Sequence, residues 1–181
     1  MSTSPPIAST IVDSPLGPLT LLASPEGLRS VGWEGEPSAV VSAVKCPEAS
    51  ALAGDSPPTA SILRAAVTQL DEYFRGLRTT FDLPLAPCGT PFQRSAWEVL
   101  RTIPFGHTMT YGEQARRLGG ANKARAVGAA NGRNTLAIIV PCHRVIGADG
   151  SLTGFAAGVE RKAWLLRHEA AVRALADRRL R

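Results

Sequence analysis

Residues 110–131 read "TYGEQARRLGGANKARAVGAAN", and they carry the main structural signal in the second half of the chain. It predicts two short helices separated by a turn that contains glycine. Thr110 can cap the first helix with Glu113 as its reciprocal partner, and "LGG" stops that helix. Asn122 can cap the second helix, "KARAVGAAN". Two short helices joined in this way are typical of a helix-turn-helix, although plain core packing produces the same pattern.

The segments on either side of this pair also predict helices. Upstream, Thr90 can cap a helix in which Pro91 takes the first position and Gln93 completes a capping box. That helix ends near Pro104, and the residues it is expected to bury are Phe92, Trp97, Leu100 and Ile103. The last helix starts near Val159 and is expected to bury Ala163, Trp164, Leu166 and Ala170.

Between these helices, "LAIIV" at 136–140 predicts a buried strand that ends at Pro141 and delivers Cys142. A thiolate is a strong nucleophile, and an adjacent histidine such as His143 is the nearest group that can withdraw the thiol proton. Adjacent side chains usually point apart, so direct contact and a bridging water both remain open. The acid that orients the imidazole is Glu169, Glu160 or Asp149. The alternative is a structural cysteine beside a packed histidine.

The first third of the chain predicts a small antiparallel sheet. Strands are expected at 10–13, 18–24 and 27–33, followed by a loop over 34–60 that is rich in proline, serine and alanine. A helix begins at Ser61, and its expected apolar face consists of Leu63, Ala66, Val67, Leu70, Phe74 and Leu77. The fold class is therefore α/β in two parts. A sheet-containing domain covers 1–80, and a mainly helical domain of winged-helix type covers 81–181.

Charge and composition narrow the function. The net charge is +5, and residues 107–148 hold six basic residues against Glu113 alone. Such a surface attracts phosphate backbones, although a solvated face without a partner would look the same. No apolar run reaches membrane-spanning length and no secretory signal is visible, so we expect a cytoplasmic protein. Three dispersed cysteines and three dispersed histidines predict no metal site and no disulfide framework.

Five motifs occur in a fixed order: "TPFQRSAWEVLRTIPFG", "TYGEQARRLGG", "ARAVGAAN", "NTLAIIVPCHRVIGADGSLTGFAAG" and "RKAWLLRHE". Together they resemble the O6-alkylguanine-DNA alkyltransferases, also called methylated-DNA–protein-cysteine methyltransferases. The resemblance covers residues 90–169, and the strand-rich N-terminal part fits the family more loosely. It implies a protein that needs no cofactor, works as a monomer or cooperatively on DNA, and repairs duplex DNA containing O6-alkylguanine.

The resemblance also implies roles for individual residues. Cys142 attacks the alkyl carbon on O6 and keeps the group, so each molecule acts once. His143 deprotonates Cys142 through a water, and Glu169 orients His143. Tyr111 contacts the flipped base and assists the leaving guanine, and Asn134 ties the second helix to the cysteine turn.

The same resemblance implies that the second helix binds DNA. Arg125 enters the base stack, and the other candidate contacts are Lys123, Ala126 and Thr110. The guanine pocket is formed by Val145, Phe155 and Ala156 together with Tyr111. Phe155 stands where the family commonly has tyrosine, so stacking on the base remains while a hydrogen bond from that ring is lost.

Three other functions fit parts of the pattern. A non-repairing binder of alkylated DNA is disfavoured by the presence of Cys142. A helix-turn-helix regulator gives no reason for a buried cysteine–histidine pair beside the DNA face. A cysteine hydrolase would show multiple turnover, whereas irreversible transfer allows one event per chain.

Overall fold

The computed structural model describes residues 7–33 and 57–179. The chain divides into two compact units, each described here by itself. One comprises Met1–Cys88 with Thr135–Ile139, and the other comprises Gly89–Asn134 with Val140–Arg181. The first unit therefore extends past the boundary predicted at residue 80. It also includes the short segment Thr135–Ile139 from the second half of the chain.

The first unit contains a three-stranded antiparallel sheet. Its strands are β1 (Ala8–Val12), β2 (Leu19–Ser24) and β3 (Gly27–Trp33), in the spatial order β1-β2-β3. A turn in which Gly17 N donates to Ser14 O at 3.1 Å joins β1 to β2. The two hairpins follow from short apolar segments separated by turn residues. The predicted antiparallel sheet and the α/β fold class are thus confirmed.

A long helix, α1 (Pro57–Phe74), packs on this sheet. It begins before Ser61, so residues 57–60 are helical rather than part of the predicted loop, and residues 34–56 of that loop lie outside the described ranges. Its buried side chains include Ile62, Leu63, Ala66, Leu70 and Tyr73. Leu77 lies beyond the end of the helix and is 67% exposed, so its predicted place on the apolar face is wrong.

The strand predicted at 136–140 does not form. Leu136 makes a single parallel bridge with Val31 of β3, and Ile138 then adopts φ 71°, a left-handed conformation that a β-branched residue rarely takes. Ile139 N donates to Ala137 O at 2.8 Å, which closes a tight turn instead of extending a strand. The segment is buried as expected, but an apolar run does not distinguish a buried strand from a buried turn.

The second unit is mainly helical. Its elements are α2 (Pro91–Arg101), β4 (Met109–Thr110), α3 (Tyr111–Arg117), α4 (Ala124–Asn131), β5 (Val145–Ile146) and α5 (Val159–Arg179). The short strands β4 and β5 pair in parallel. Both predicted capping boxes are present, one formed by Thr90 with Gln93 and the other by Thr110 with Glu113.

The connection between α3 and α4 differs from the prediction. Asn122 lies inside a 3₁₀ turn over Ala121–Lys123, and no side chain caps either this turn or α4. The turn satisfies backbone donors locally, since Lys123 N donates to Gly120 O at 3.1 Å. A 3₁₀ turn leading into an α-helix removes the need for the predicted asparagine cap.

The buried face of α5 is also not the predicted one. Lys162, Leu165 and Glu169 are buried, whereas Ala163, Trp164 and Leu166 are half-buried and Ala170 is exposed. Positions 162, 165 and 169 share one helical face, so the periodicity is intact. Two of these three buried residues are charged. A search for apolar residues at helical spacing therefore predicted burial of the neighbouring face.

Two further features concern the described residues as a group. Cys88 is disulfide-bonded, although the sequence predicts no disulfide framework, and Cys142 carries a thiol. None of the helices in the described ranges has both the length and the apolar composition required to cross a membrane.

Gly27 at the start of β3 offers a stability test. A Cβ built there would lie 2.7 Å from Pro84 O, which accepts the hydrogen bond from Leu28 N, and the residue has φ 151°. We expect Gly27→Ala to lower the free energy of unfolding by about 2–4 kcal/mol, because backbone strain and a clash with fixed backbone act together. Urea unfolding followed by circular dichroism measures the change.

Gly17→Ala is the matched control. Gly17 also has a positive φ, 101°, but its added Cβ would meet nothing closer than Trp33 Cδ1 at 4.0 Å. Only the conformational penalty of about 1–2 kcal/mol remains. Equal losses in the two variants would show that the contact with residue 84 is not tight.

Candidate active site and nucleic-acid surface

Cys142 is presented by a tight turn rather than by a strand. It opens a 3₁₀ turn over Cys142–Arg144, directly after Pro141, and its N–H donates to Val140 O at 2.8 Å. The residue is 8% exposed. The turn leads into β5, whose partner β4 immediately precedes α3, so the cysteine turn and the first residue of α3 are held close together.

Asn134 contacts the cysteine directly. Its Nδ2 donates to Val140 O at 2.8 Å and to Cys142 Sγ at 3.2 Å. One amide group therefore fixes the turn and points an N–H at the sulfur. A donor aimed at sulfur favours the thiolate over the thiol. The predicted link between the second helix and the cysteine turn corresponds to these two hydrogen bonds.

His143 and Glu169 form a buried pair. His143 Nε2 lies 2.8 Å from Glu169 Oε1, and both side chains are fully buried. His143 Nδ1 is buried with no hydrogen-bond partner among the described residues. Asp149 bonds to Ser151 instead, and Glu160 is exposed, so of the three candidate acids the structure brings Glu169 to the histidine.

The protonation state of this pair follows from its surroundings. Burial lowers the pKa of His143 below its ordinary value, against the opposing hydrogen bond to Glu169. A neutral imidazole whose Nε2–H donates to a carboxylate must carry its lone pair on Nδ1. The hydrogen-bond network therefore assigns Nδ1 as the basic nitrogen.

Glu169 is held by four donors. Besides His143, the carboxylate accepts from Arg144 Nε and Nη2, each at 2.9 Å, and from Gly106 N at 2.9 Å. Burial raises the pKa of Glu169, but hydrogen bonds and charge from His143 and Arg144 outweigh it and bring the pKa to about 2. The carboxylate is therefore ionised at neutral pH.

Lys162 is a buried cation that sequence patterns did not single out. Its Nζ donates to Val145 O at 2.5 Å and to Thr153 O at 2.6 Å, and it lies 5.7 Å from the centre of the Tyr111 ring. Burial lowers the pKa of Lys162, while the negative charge of an ionised Cys142 raises it. By the same interaction the lysine charge favours the thiolate. In sequence it was one basic residue among many on the last helix.

Tyr111 is the first residue of α3 and is half-buried. Its hydroxyl donates to Thr153 O at 3.0 Å. Burial raises the pKa of Tyr111, and the charge of Cys142 raises it further, so the phenol keeps its proton. Gly154 lies against this hydroxyl, since a Cβ there would be 2.5 Å from it.

The predicted pocket residues lie in two segments, β5 and the loop that precedes α5. Val145 is buried next to the cysteine turn, and its carbonyl accepts from Lys162. Phe155 is half-buried and Ala156 is exposed, both in the loop that precedes α5. The loop is anchored by Thr153 O, which accepts from both Lys162 and Tyr111.

The predicted DNA-contacting residues lie on and around α4. Arg125 and Ala126 are exposed. Lys123 Nζ instead donates to Leu118 O at 2.8 Å and so closes the end of α3. Thr110 is engaged in its capping box with Glu113. Of the four candidates, Arg125 offers an exposed cationic side chain.

Buried hydrogen bonds fix α4 against its neighbours. Gln114 of α3 and Asn131 of α4 exchange amide hydrogen bonds of 3.1 and 2.8 Å, and Gln114 also donates to Ala96 O of α2. Trp97 Nε1 donates to Ala130 O at 2.9 Å. These bonds join α3 and α4 to each other and to α2. No group of metal-ligating side chains occurs among residues 7–33 and 57–179.

Comparison with known proteins gives a consistent result over both units. Residues 91–171 match the family of the 6-O-methylguanine DNA methyltransferase DNA binding domain, and residues 7–87 match the ribonuclease-like domain of the same methyltransferase. A methylated-DNA–protein-cysteine methyltransferase of Methanosarcina acetivorans is 44% identical over 88% of this chain and 96% of its own length. One from Shigella flexneri is 46% identical, over 87% of this chain and 92% of its own length.

Solved structures agree. The crystal structure of the Mycobacterium tuberculosis O6-methylguanine methyltransferase is similar with a TM-score of 0.75 and 43% identity, covering 91% of this chain and 93% of that one. The structure of the same organism's OGT in complex with DNA is similar with a TM-score of 0.74 and 41% identity, covering 92% and 93%.

Proposed function

The chain belongs to the 6-O-methylguanine DNA methyltransferase family, and we propose that Cys142 is the residue on which it accepts the alkyl group. It binds DNA and repairs it directly, as a methylated-DNA–protein-cysteine methyltransferase. The observation that carries the assignment of Cys142 is its setting. The sulfur accepts from Asn134, lies next to the buried His143–Glu169 pair and faces the charge of Lys162.

The proposed proton path uses the unprotonated nitrogen of His143. A water between Cys142 Sγ and His143 Nδ1 takes the thiol proton and passes one to the imidazole. Glu169 stabilises the imidazolium that forms, because its carboxylate is ionised and 2.8 Å from Nε2. Asn134 and Lys162 stabilise the thiolate by a hydrogen bond and by charge.

The transfer itself is an in-line displacement. The thiolate forms a bond to the alkyl carbon as the bond from that carbon to O6 of guanine breaks, and the electron pair leaves with the guanine. Tyr111 keeps its proton, and we propose that its hydroxyl gives up the hydrogen bond to Thr153 O and donates to the departing base. The product at Cys142 is a thioether, which has no leaving step under mild conditions, so each chain reacts once.

The proposed substrate is O6-alkylguanine flipped out of duplex DNA. Chemistry on a stacked base requires extrusion, and Arg125 on the exposed side of α4 is proposed to fill the space left in the stack. Phe155 and the backbone near Val145 and Ala156 are proposed to surround the base. Action as a monomer in the cytoplasm, with cooperativity on DNA, remains a prediction.

Intact mass tests this function. After mixing with excess duplex that contains O6-methylguanine, we expect one added methyl group per chain, and peptide mapping should place it on Cys142. The signal should saturate at one methyl with no further turnover. DNA binding without added mass would instead make the chain a recognition protein, and release of a modified product over many cycles would make it a hydrolase.

A further inference from the structure

We propose that Arg144 is a positioning residue for alkyl transfer, which holds Glu169 in one orientation and keeps His143 a neutral base. The inference rests on the proposed role of His143 in activating Cys142. Arg144 lies two residues after the nucleophile, and its guanidinium hydrogen-bonds to Glu169 and to Ile103 O. Its effect on the reaction therefore passes through Glu169 and His143.

Each of the three guanidinium nitrogens of Arg144 donates a hydrogen bond. Its Nε donates to Glu169 Oε2 and its Nη2 to Glu169 Oε1, both at 2.9 Å, which is the two-point geometry that arginine makes with carboxylates. Its Nη1 donates to Ile103 O at 2.6 Å, beyond the end of α2. The side chain is buried and lies over the ring of Phe105 at 5.7 Å.

The carboxylate of Glu169 is consequently fixed on both oxygens. Oε1 accepts from His143 Nε2 and Arg144 Nη2, and Oε2 accepts from Arg144 Nε and Gly106 N. Rotating the carboxylate to follow a moving imidazole would break hydrogen bonds on both oxygens. The ring of His143 is therefore held with Nε2 toward Glu169, and this leaves Nδ1 as the nitrogen available for proton transfer.

Charge also favours the neutral form of His143. The charged groups that act on His143 are Glu169 and Lys162 from α5 and Arg144 on the same turn. Cys142, when ionised, acts on Lys162. From the segment after α2, Ile103 contributes only a carbonyl. An unpaired buried carboxylate would hold a proton on the imidazole, whereas the pairing with Arg144 neutralises most of that attraction. The lowered pKa of His143, caused first by burial and also by Arg144, agrees with this.

The test is the pH dependence of single-turnover methyl transfer from duplex O6-methylguanine between pH 5 and 9.5. In the wild type, we expect the rate to fall only below the ordinary pKa of histidine, 6.5. In Arg144→Met, the acid limb should move up by about one pH unit, because Glu169 then favours the imidazolium. The rate should recover toward the wild-type value at high pH, whereas a purely structural role would lower the rate equally at every pH.

Arg144→Lys separates charge from geometry and covers the case in which Arg144→Met fails to fold. It keeps a cation beside Glu169 but loses the two-point contact. We expect its acid limb to stay near the wild-type position and its plateau rate to fall about tenfold, since misplaced catalytic groups lose rate steeply. A wild-type limb and a wild-type plateau in this variant would overturn the proposal.

Two further variants separate this proposal from the function on which it rests. Arg29→Met is the control, because Arg29 is buried to a similar extent, 4% exposed against 6% for Arg144. The carboxylate partner of Arg29 is Glu26, not Glu169. Arg29→Met should change neither the position of the acid limb nor the plateau rate of methyl transfer. If His143→Ala keeps the wild-type acid limb, the proposed base is wrong. If His143→Ala removes the limb while Arg144→Met leaves it in place, only the role of Arg144 is refuted.

Discussion

Replacing Cys142 by serine should abolish methyl transfer while leaving binding to duplex DNA intact. A hydroxyl fits the space of the thiol, but its proton is far harder to remove, so neither His143 nor the charge of Lys162 can produce the nucleophile. Loss of the nucleophile in covalent catalysis costs about 10⁶-fold in rate. Since Cys142 is buried and Arg125 is exposed on α4, the substitution leaves the proposed DNA surface unchanged.

Radiolabelled methyl transfer and gel-shift binding measure the two properties on the same preparation. Cys88→Ser is the control, because Cys88 lies in the first unit and its sulfur is disulfide-bonded. It should accept one methyl group as the wild type does. Label that still appears on the Cys142→Ser chain would place the nucleophile at another residue.

Local chemistry made much of the fold predictable. Each predicted capping box lies within four consecutive residues, Thr90–Gln93 and Thr110–Glu113, and each forms as the sequence indicates. The three strands of the N-terminal sheet follow from apolar segments with turn residues between them. Signals of this kind are short-range, so they can be recognised without knowing which residues pack against the element.

Elements whose conformation depends on distant partners were not predictable. The run "LAIIV" looks like a strand because all of it is apolar, but Ile138 at φ 71° turns the chain after a single bridge to β3. The last helix shows the same limit in another form. Its buried face contains Lys162 and Glu169, which hydropathy assigns to solvent, because their partners are carbonyls and charges far away in sequence.

The site was predictable to a corresponding degree. Adjacency made Cys142 and His143 candidates but left a structural cysteine beside a packed histidine as the alternative, and the resemblance to the family favoured the catalytic interpretation. From the residues alone the orienting acid was one of three, because the pairing with Glu169 spans 26 residues of sequence. Arg144 follows the pair directly, yet its charge looked like part of a basic surface. Only the fold shows that it is buried on Glu169 rather than exposed to phosphate.

Arg125→Ala should lower the rate of repair in duplex DNA by about 100-fold. Extruding a base costs a few kcal/mol, and a side chain that fills the vacated space offsets part of that cost. Losing about 2.7 kcal/mol of this stabilisation corresponds to the expected factor of 100. The reaction with free O6-alkylguanine base requires no extrusion, so its rate should stay within about twofold of the wild type by the same reasoning.

Single-turnover rates with duplex and with free base, measured side by side, give the ratio that decides the role of Arg125. Arg133→Ala is the matched control, since Arg133 is also exposed and lies just beyond the end of α4. It should lower the salt dependence of DNA binding by about one released counterion and leave the ratio of the two rates unchanged. Equal losses of Arg125→Ala on both substrates would mean that Arg125 supports the fold of α4 and not the extruded state of the base. Unchanged single-turnover rates on both substrates together with weaker DNA binding would reduce Arg125 to a phosphate contact, because a residue acting on extrusion lowers the duplex rate alone.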